Sequence, residues 1–150
     1  MTSQIFANIY LNEFDQFIKH QLKVKYYFRY ADDFIIVHQD ENYLQEALVK
    51  VDGFIKNELG LKLHPQKIQL RKLRQGIDFL GYIILPRYVV LRVKTRRRIF
   101  KKIRCNLEKL KQGSISKESF NQSLQSYYGI LKHCCGYKAK AEIKSLIGFK

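Results

Sequence analysis

The chain has 150 residues, enough for one domain or for one domain with a small appendage. Its content of 46% hydrophobic and 13% aromatic residues can form a packed core, which argues against disorder. Its apolar runs are too short to span a bilayer. The net charge of +15 is uneven, because residues 1–60 carry 6 basic and 9 acidic side chains and residues 61–150 carry 22 and 4. The basic part indicates a polyanionic partner such as nucleic acid, with a solvated basic face and an anionic membrane surface as alternatives.

The cysteines and the N-terminal sequence indicate the compartment. Cys105, Cys134 and Cys135 form no Cys-x-x-Cys pair, and no basic and then apolar leader follows Met1. We therefore expect a cytoplasmic protein with reduced thiols and no signal peptide. Zinc binding at 133–135 is a weak alternative, because adjacent helical residues point in different directions and no second ligand pair follows.

Residues 1–60 predict a helix, a β-hairpin and a second helix. Apolar residues recur at three- and four-residue spacing in the helical segments, and β-branched and aromatic side chains dominate between them. The predicted elements are a helix at 3–20, strands at 24–30 and 34–38, and a helix at 41–59. We expect Asp40 to cap the second helix and Gly60 to end it in a left-handed conformation.

The rest of the chain predicts short strands followed by helices. The strand candidates are 61–63, 67–70, 78–85 and 88–93, the last two joined by a turn at Pro86-Arg87. The helix candidates follow residue 93, with breaks at 112–114 and at Gly136, an N-cap at Ser116 and an end at Gly148. We therefore expect two domains: an α+β domain at 1–93 and a basic helical domain at 94–150.

The turn of the first predicted hairpin carries two adjacent carboxylates, Asp32 and Asp33. Their mutual repulsion beside an apolar sheet is relieved by a divalent cation, and Mg²⁺ prefers carboxylate oxygens. Two such ions can activate a primer 3′-hydroxyl and stabilise the leaving pyrophosphate. Asp is also common in turns that have no function, so the neighbouring segments must decide.

Four ordered segments of the chain resemble motifs of reverse transcriptases. They are Thr2-Ser3-Gln4, Tyr30-Ala31-Asp32-Asp33-Phe34, the segment from Gly60 to Lys67, and the segment from Gly76 to Tyr82. These segments are similar, in order, to the end of the nucleotide-contacting motif, the signature hairpin, the glycine-leucine and lysine block, and the primer grip. The resemblance covers essentially the whole chain. It implies an α+β fold: a palm, with an antiparallel hairpin sheet packed on helices, followed by an α-helical thumb.

The resemblance also implies a role for each matched position. Asp32 and Asp33 would bind two Mg²⁺ ions, with Mn²⁺ as an alternative, and Lys67 would approach the pyrophosphate as a charge or proton donor. The nucleotide and primer terminus would be contacted by Ser3, Gln4, Tyr30, Ala31, Phe79, Leu80, Gly81 and Tyr82. The backbone of an RNA–DNA hybrid would be bound by Lys94, Arg96, Arg97, Arg98, Lys101, Lys102 and Arg104. Solvated lysine or core packing is the plain alternative for Lys67 and for the apolar residues at 79–82.

The implied activity is RNA-directed DNA polymerisation, a nucleotidyl transfer. Its partners would be an RNA template, a DNA primer and deoxynucleoside triphosphates, without a membrane. Gln4 resembles the diversity-generating retroelement branch, which also uses a basic accessory protein, and a group II intron or retron-like relative is the alternative.

We expect the isolated chain to be inactive. The family's fingers and first catalytic aspartate precede the matched segments, so an N-terminal polymerase half would be a further partner. Asp15 is no obvious substitute, because it lies on the first predicted helix. A non-catalytic module that binds RNA–DNA hybrids is the competing interpretation, and an interaction protein without a nucleic acid partner is disfavoured by the basic second part.

Overall fold

The computed structural model describes residues 2–148, with side chains from residue 5 onward. The chain divides into two compact units, the first spanning residues 1–70 and the second spanning residues 71–150. Both units combine helices with a small antiparallel sheet, so the predicted α+β class is confirmed. The functional division into 1–93 and 94–150 stays a prediction.

The first unit contains a helical N-terminal segment, one hairpin and a long helix. Its elements are α1 (Thr2–Tyr10), α2 (Asn12–Gln16), a π-helical turn (Phe17–Gln21), β1 (Tyr26–Tyr30), β2 (Asp33–Val37), α3 (Glu41–Asn57) and a 3₁₀ turn (Pro65–Lys67). The helix predicted at 3–20 is thus interrupted at Leu11. The Asp40 carboxylate caps α3 by accepting from the Asn42 amide at 2.9 Å, and Gly60 has a φ of 59°, as predicted.

An aromatic cluster fixes the hairpin of the first unit to its helices. Phe17 stacks on Phe54 of α3 with ring centroids 4.1 Å apart, and Phe14 meets Phe34 of β2 edge to face at 4.9 Å. Phe14 is only 1% exposed. Aromatic pairs of this kind contribute about 0.5–1.5 kcal/mol beyond the area that they bury. One face of the hairpin therefore packs on α2 and α3.

The second unit contains a three-stranded sheet followed by three helices. Its elements are a 3₁₀ turn (Leu73–Gln75), β3 (Ile77–Phe79), β4 (Tyr82–Ile84), β5 (Val89–Leu91), α4 (Val93–Lys111), α5 (Lys117–Lys132) and α6 (Tyr137–Ile147). The strands are antiparallel in the order β3-β4-β5. Ile103, Leu131 and Ile143 are at most 2% exposed, so each of the three helices contributes to one core. Ser116 accepts a hydrogen bond from the Ser119 amide at 3.1 Å, which confirms the predicted cap of α5.

Two of the strand predictions are wrong, and a third is wrong in part. Residues 61–63 and 67–70 form no strand, because the chain turns at Pro65, which cannot donate to a ladder and begins a 3₁₀ turn. The strand predicted at 78–85 is divided by a tight turn at Leu80-Gly81, so that Phe79 pairs with Tyr82. The turn at Pro86-Arg87 is confirmed and joins β4 to β5.

None of the helices between residues 2 and 148 is long and apolar enough to cross a membrane.

Candidate active site

The two carboxylates lie next to each other at the end of the first hairpin, Asp32 within the turn and Asp33 at the start of β2. The strands pair from Tyr26–Val37 to Tyr30–Asp33, so only Ala31 and Asp32 connect them. Asp32 and Asp33 are both exposed. Ala31 has a φ of 51°, in the left-handed region that costs a residue with a side chain about 1–2 kcal/mol. The carboxylates are thus placed by fully paired strands and by a strained two-residue turn.

Arg29 of β1 connects this turn to the helical segment. Its Nε donates to Oδ1 of Asp15 in α2 at 2.8 Å, and its Nη2 donates to Oδ2 of the same carboxylate. Its Nη1 donates to the Ala31 carbonyl at 2.8 Å and to the Asn8 side chain at 3.1 Å. The Tyr27 hydroxyl also donates to Asp15 Oδ1, at 2.7 Å. One guanidinium therefore connects Asn8 of α1 and Asp15 of α2 to the Ala31 carbonyl in the turn.

The titration of these groups follows from their contacts. The hydrogen bond from Arg29 holds the pKa of Asp15 below its ordinary value of 3.8, against an opposing contribution from burial. Burial raises the pKa of Tyr27, and its hydrogen bond to Asp15 raises it further. The same bond from Arg29 to Asp15 raises the pKa of the guanidinium. Asp15 is therefore an ionised partner of Arg29, with both oxygens engaged, and it is not available as a metal ligand.

Asp32 and Asp33 have the chemistry and exposure that a divalent cation requires. Two exposed carboxylates fit Mg²⁺, which binds through one or two protein carboxylates together with water and substrate phosphates. Between residues 5 and 148 the structure shows no group of three or more His, Cys, Asp or Glu side chains able to hold a metal. The residues present therefore fit part of a two-ion site.

The other residues predicted to contact nucleotide or primer are placed as follows. Lys67 is exposed in the 3₁₀ turn of the first unit. Ser3 and Gln4 lie in α1, but their side chains lie outside the described ones. Tyr30 is 60% exposed next to the carboxylates. The roles of these residues stay predictions.

The predicted primer-contacting residues at 79–82 form the β3–β4 turn of the second unit. Phe79 is half-buried, and Leu80 at the tip is 47% exposed with a φ of 52°. The Tyr82 hydroxyl donates to the Ile130 carbonyl of α5 at 3.1 Å, and burial raises its pKa. The sequence analysis allowed for packing of Tyr82 but did not predict this hydrogen bond to α5.

Helix α4 carries every residue predicted to contact a phosphate backbone. All seven side chains are exposed: Lys94, Arg96, Arg97, Arg98, Lys101, Lys102 and Arg104. Arg96 forms an ion pair with Glu142 of α6 and lies over the Phe100 ring, 5.2 Å from its centroid. Among the described residues, the other six form no ion pair. Arg97, Lys101 and Arg104 recur at helical spacing and line one groove beside α6.

A comparison with protein families identifies the sequence. The model of the family described as "Reverse transcriptase (RNA-dependent DNA polymerase)" matches residues 1–84, more than half of the chain. The chain belongs to the reverse transcriptase family. Its α+β first part with the hairpin and its helical end agree with a reverse transcriptase palm followed by a helical thumb.

A curated protein of Saccharomyces cerevisiae (strain ATCC 204508 / S288c), named putative COX1/OXI3 intron 2 protein, is similar to part of this reverse transcriptase chain. The two are 36% identical over 61 residues, which cover 40% of this chain and 7% of the yeast protein. The chain thus matches only a small part of that relative's length.

Sequence reasoning missed the contact between Arg29 and Asp15. The available signal was an arginine among the aromatic residues of β1 and an aspartate within the apolar pattern of the preceding helix. Each suggests a partner in a half-buried environment, but the sequence does not say which residue supplies it.

Proposed function

We propose that this chain supplies part of the active site of an RNA-directed DNA polymerase. The observation that carries the proposal is that Asp32, in the two-residue turn, and Asp33, at the start of β2, are both exposed at the end of fully paired strands. Membership of the reverse transcriptase family supports the reaction class. The reaction is transfer of a nucleotide to a primer 3′-hydroxyl.

Asp32 and Asp33 would hold divalent cations, with Mg²⁺ as the physiological ion and Mn²⁺ as an alternative. Ions held there would lower the pKa of the primer hydroxyl and neutralise charge on the phosphates. The protein's own contribution is to hold the two carboxylates in one position. Lys67 would add positive charge near the leaving pyrophosphate, and Tyr30 and Ala31 would border the primer terminus, together with Ser3 and Gln4.

We further propose that residues 1–150 alone do not extend a primer. Two carboxylates leave a two-ion site incomplete, and the described residues contain no group of three or more metal-binding side chains. At least one carboxylate would come from a polypeptide segment outside this sequence. An N-terminal polymerase half is the candidate source of that carboxylate, and a basic accessory protein is a separate candidate partner.

The thumb helix α4 would bind the hybrid of RNA template and DNA primer. Its exposed basic residues give sequence-independent affinity for phosphates, and residues 79–82 would contact the primer end. A non-catalytic module that binds such hybrids is the second candidate function. The incomplete carboxylate set of the described residues favours it for the chain in isolation.

The branch of the family and the compartment are also proposals. Gln4 supports the diversity-generating retroelement branch, whereas the printed name of the yeast relative, an intron protein, supports the intron-type alternative. The three cysteines form no Cys-x-x-Cys pair and are free thiols, which supports a cytoplasmic location.

Primer extension tests the catalytic proposal. The chain is incubated with Mg²⁺, deoxynucleotides and a DNA primer on an RNA template, alone and with a supplied N-terminal polymerase segment of a related enzyme. We expect extension only in the supplemented reaction, and loss of extension in the Asp32→Asn/Asp33→Asn variant. The control Asp40→Asn/Asp52→Asn removes two exposed carboxylates of the same unit outside the turn. Extension by the chain alone that the turn variant lacks would show that the site is complete.

Hybrid binding tests the role of α4. We expect the affinity for an RNA–DNA hybrid to fall as salt rises, and Arg97→Gln/Lys101→Gln/Arg104→Gln to weaken it by about tenfold or more with a shallower salt dependence. The control Lys19→Gln/Lys50→Gln/Lys56→Gln makes the same charge change in the first unit. Equal losses in both variants would contradict a defined binding face on α4.

A further inference from the structure

We propose that Arg29 is a positioning residue that holds the Ala31–Asp32 turn in the conformation needed to bind a divalent cation. The inference rests on the proposed function of Asp32 and Asp33 and goes further, because it assigns the geometry of that site to a residue outside the matched Tyr-x-Asp-Asp motif.

The guanidinium is itself held in place on its helical side. Two of its nitrogens bond the Asp15 carboxylate, and the Arg29 side chain is only 11% exposed. Asp15 directly follows Phe14, which is 1% exposed in the core of the first unit. A bidentate arginine–carboxylate pair is geometrically specific as well as strong. The third nitrogen therefore extends from a fixed group.

This third nitrogen donates to the carbonyl of the strained residue. The bond from Nη1 to the Ala31 oxygen is 2.8 Å long. The Ala31 carbonyl belongs to the same planar peptide group as the Asp32 amide, so fixing one orients the other. Ala31 has a φ of 51°, and an alanine has no intrinsic preference for this region. The hydrogen bond offsets part of the strain and selects one orientation for the backbone that carries Asp32.

Simple electrostatics predicts an effect of the opposite sign. A positive guanidinium close to a cation site weakens cation binding, so neutralising it should strengthen binding if charge were its only influence. Positioning predicts instead that loss of the guanidinium weakens binding. Variants that keep the local net charge constant therefore measure the positioning effect alone.

Two variants of the full chain meet this condition. Arg29→Lys keeps the positive charge but cannot bond both Asp15 oxygens and the Ala31 carbonyl. Asp15→Leu/Arg29→Met removes both charges together, which leaves no unpaired buried charge. Tyr27→Phe is the matched control, because it removes one hydrogen bond to Asp15 and leaves the contact of Arg29 with the turn intact.

Nuclear magnetic resonance supplies two readouts. The first is recorded without metal. It combines the coupling constant between the amide and α protons of Ala31, which reports φ, with the hydrogen exchange rates of the Ala31 and Asp32 amides. The second is the Mn²⁺ concentration that broadens the signals of residues 31–34. In both Arg29 variants we expect the coupling constant of Ala31 to lose the value that belongs to a left-handed φ. We also expect these variants to need at least about fivefold more Mn²⁺ for the same broadening. Tyr27→Phe should resemble the unmodified chain in both measurements.

The two readouts separate the possible failures. Unchanged Ala31 coupling, or equal or tighter Mn²⁺ binding in the Arg29 variants, would overturn the positioning role. Absence of Mn²⁺ broadening in the unmodified chain would overturn the proposed metal function. In that case, a change of the Ala31 coupling constant away from its left-handed value in the Arg29 variants would still support Arg29 as the residue that holds the turn.

Discussion

Two hairpins of this chain are each closed by two residues, and their turns are stabilised in different ways. The β1–β2 turn consists of Ala31 and Asp32, and the β3–β4 turn consists of Leu80 and Gly81. The first residue of each is left-handed, with φ of 51° and 52°. In the β3–β4 turn the second residue is a glycine with a φ of 85°, so both central residues have the positive φ typical of tight hairpins.

The β1–β2 turn has an aspartate where the other has a glycine. A glycine makes a tight turn favourable from local sequence alone. Asp32 is not among the residues with a positive φ, so its position does not require a glycine; the left-handed residue is Ala31, whose carbonyl is held by Arg29, which is anchored on a helix. The first turn is thus held by a side chain that is anchored on α2, whereas the second turn contains a glycine and accepts a backbone hydrogen bond from the Arg92 amide to the Gly81 carbonyl at 3.0 Å.

Removal of the helical anchor should have the largest effect. Asp15→Ala leaves Arg29 and Tyr27 without their shared acceptor in a half-buried environment. We expect the free energy of unfolding to fall by about 3 kcal/mol. Urea unfolding followed by far-ultraviolet circular dichroism measures this change. A loss as small as that of the exposed control Asp52→Ala would contradict a structural role for the anchor.

A methyl group added at Gly81 should destabilise the β3–β4 turn. In Gly81→Ala the new Cβ would lie 3.0 Å from Thr95 Oγ1, in a backbone conformation that alanine rarely adopts. We expect a loss of about 2 kcal/mol in the same unfolding measurement.

The matched control for that variant is Gly113→Ala, which also has a positive φ of 71° but no atom within 4 Å of the new Cβ. It should lose only about 1 kcal/mol, the cost of the backbone conformation. Equal losses at the two positions would show that contact with Thr95 contributes nothing.

Acid should weaken the contact between Asp15 and Arg29 that supports the first turn. The pKa of Asp15 is lowered in the folded chain by its bond with Arg29, so the unfolded chain binds the proton more readily. The stabilisation is complete above the ordinary value of 3.8 and is lost as pH falls through the lowered folded value. We expect Asp15→Asn to show a smaller loss of stability over this acidic range. Parallel pH profiles for the two proteins would contradict this assignment.

The smallest expected effect is a gain. Ala31→Gly relieves about 1–2 kcal/mol of left-handed strain and introduces about 0.5–1 kcal/mol of additional backbone entropy in the unfolded chain. The unfolding free energy should therefore rise by up to about 1.5 kcal/mol. A decrease, measured by the same urea titration, would mean that Ala31 is not strained in the folded protein.

The features that the sequence predicted correctly are those determined by residues close together in the chain. The cap at Asp40, the left-handed Gly60 after α3 and the cap at Ser116 follow from the chemistry of a few neighbouring residues, and all three are present, although α3 already ends at Asn57. The strands at 61–63 and 67–70 were wrong because short apolar runs do not distinguish a strand from an extended loop. The division of 78–85 was missed because Leu80 gives no signal for a positive φ.

Contacts between distant parts of the sequence were the least predictable part of the site. The position of Asp32 in a turn followed from the strand pattern around it, whereas Asp33 begins β2. The connection from Asp15 to Arg29 spans 14 residues and depends on how α2 packs on β1, which periodicity does not specify.

The hydrogen bond from Tyr82 to the Ile130 carbonyl has a consequence for nucleic acid release. It joins the strand that begins after the β3–β4 turn to the helical layer of the same unit, and the amide of Cys135 adds a second link by donating to the Val89 carbonyl at 2.7 Å. If the second unit unfolds cooperatively, the proposed contacts with the primer and with the hybrid would therefore be lost together. Mild denaturation that opens this unit first would abolish hybrid binding while the turn at 31–33 still takes up cations.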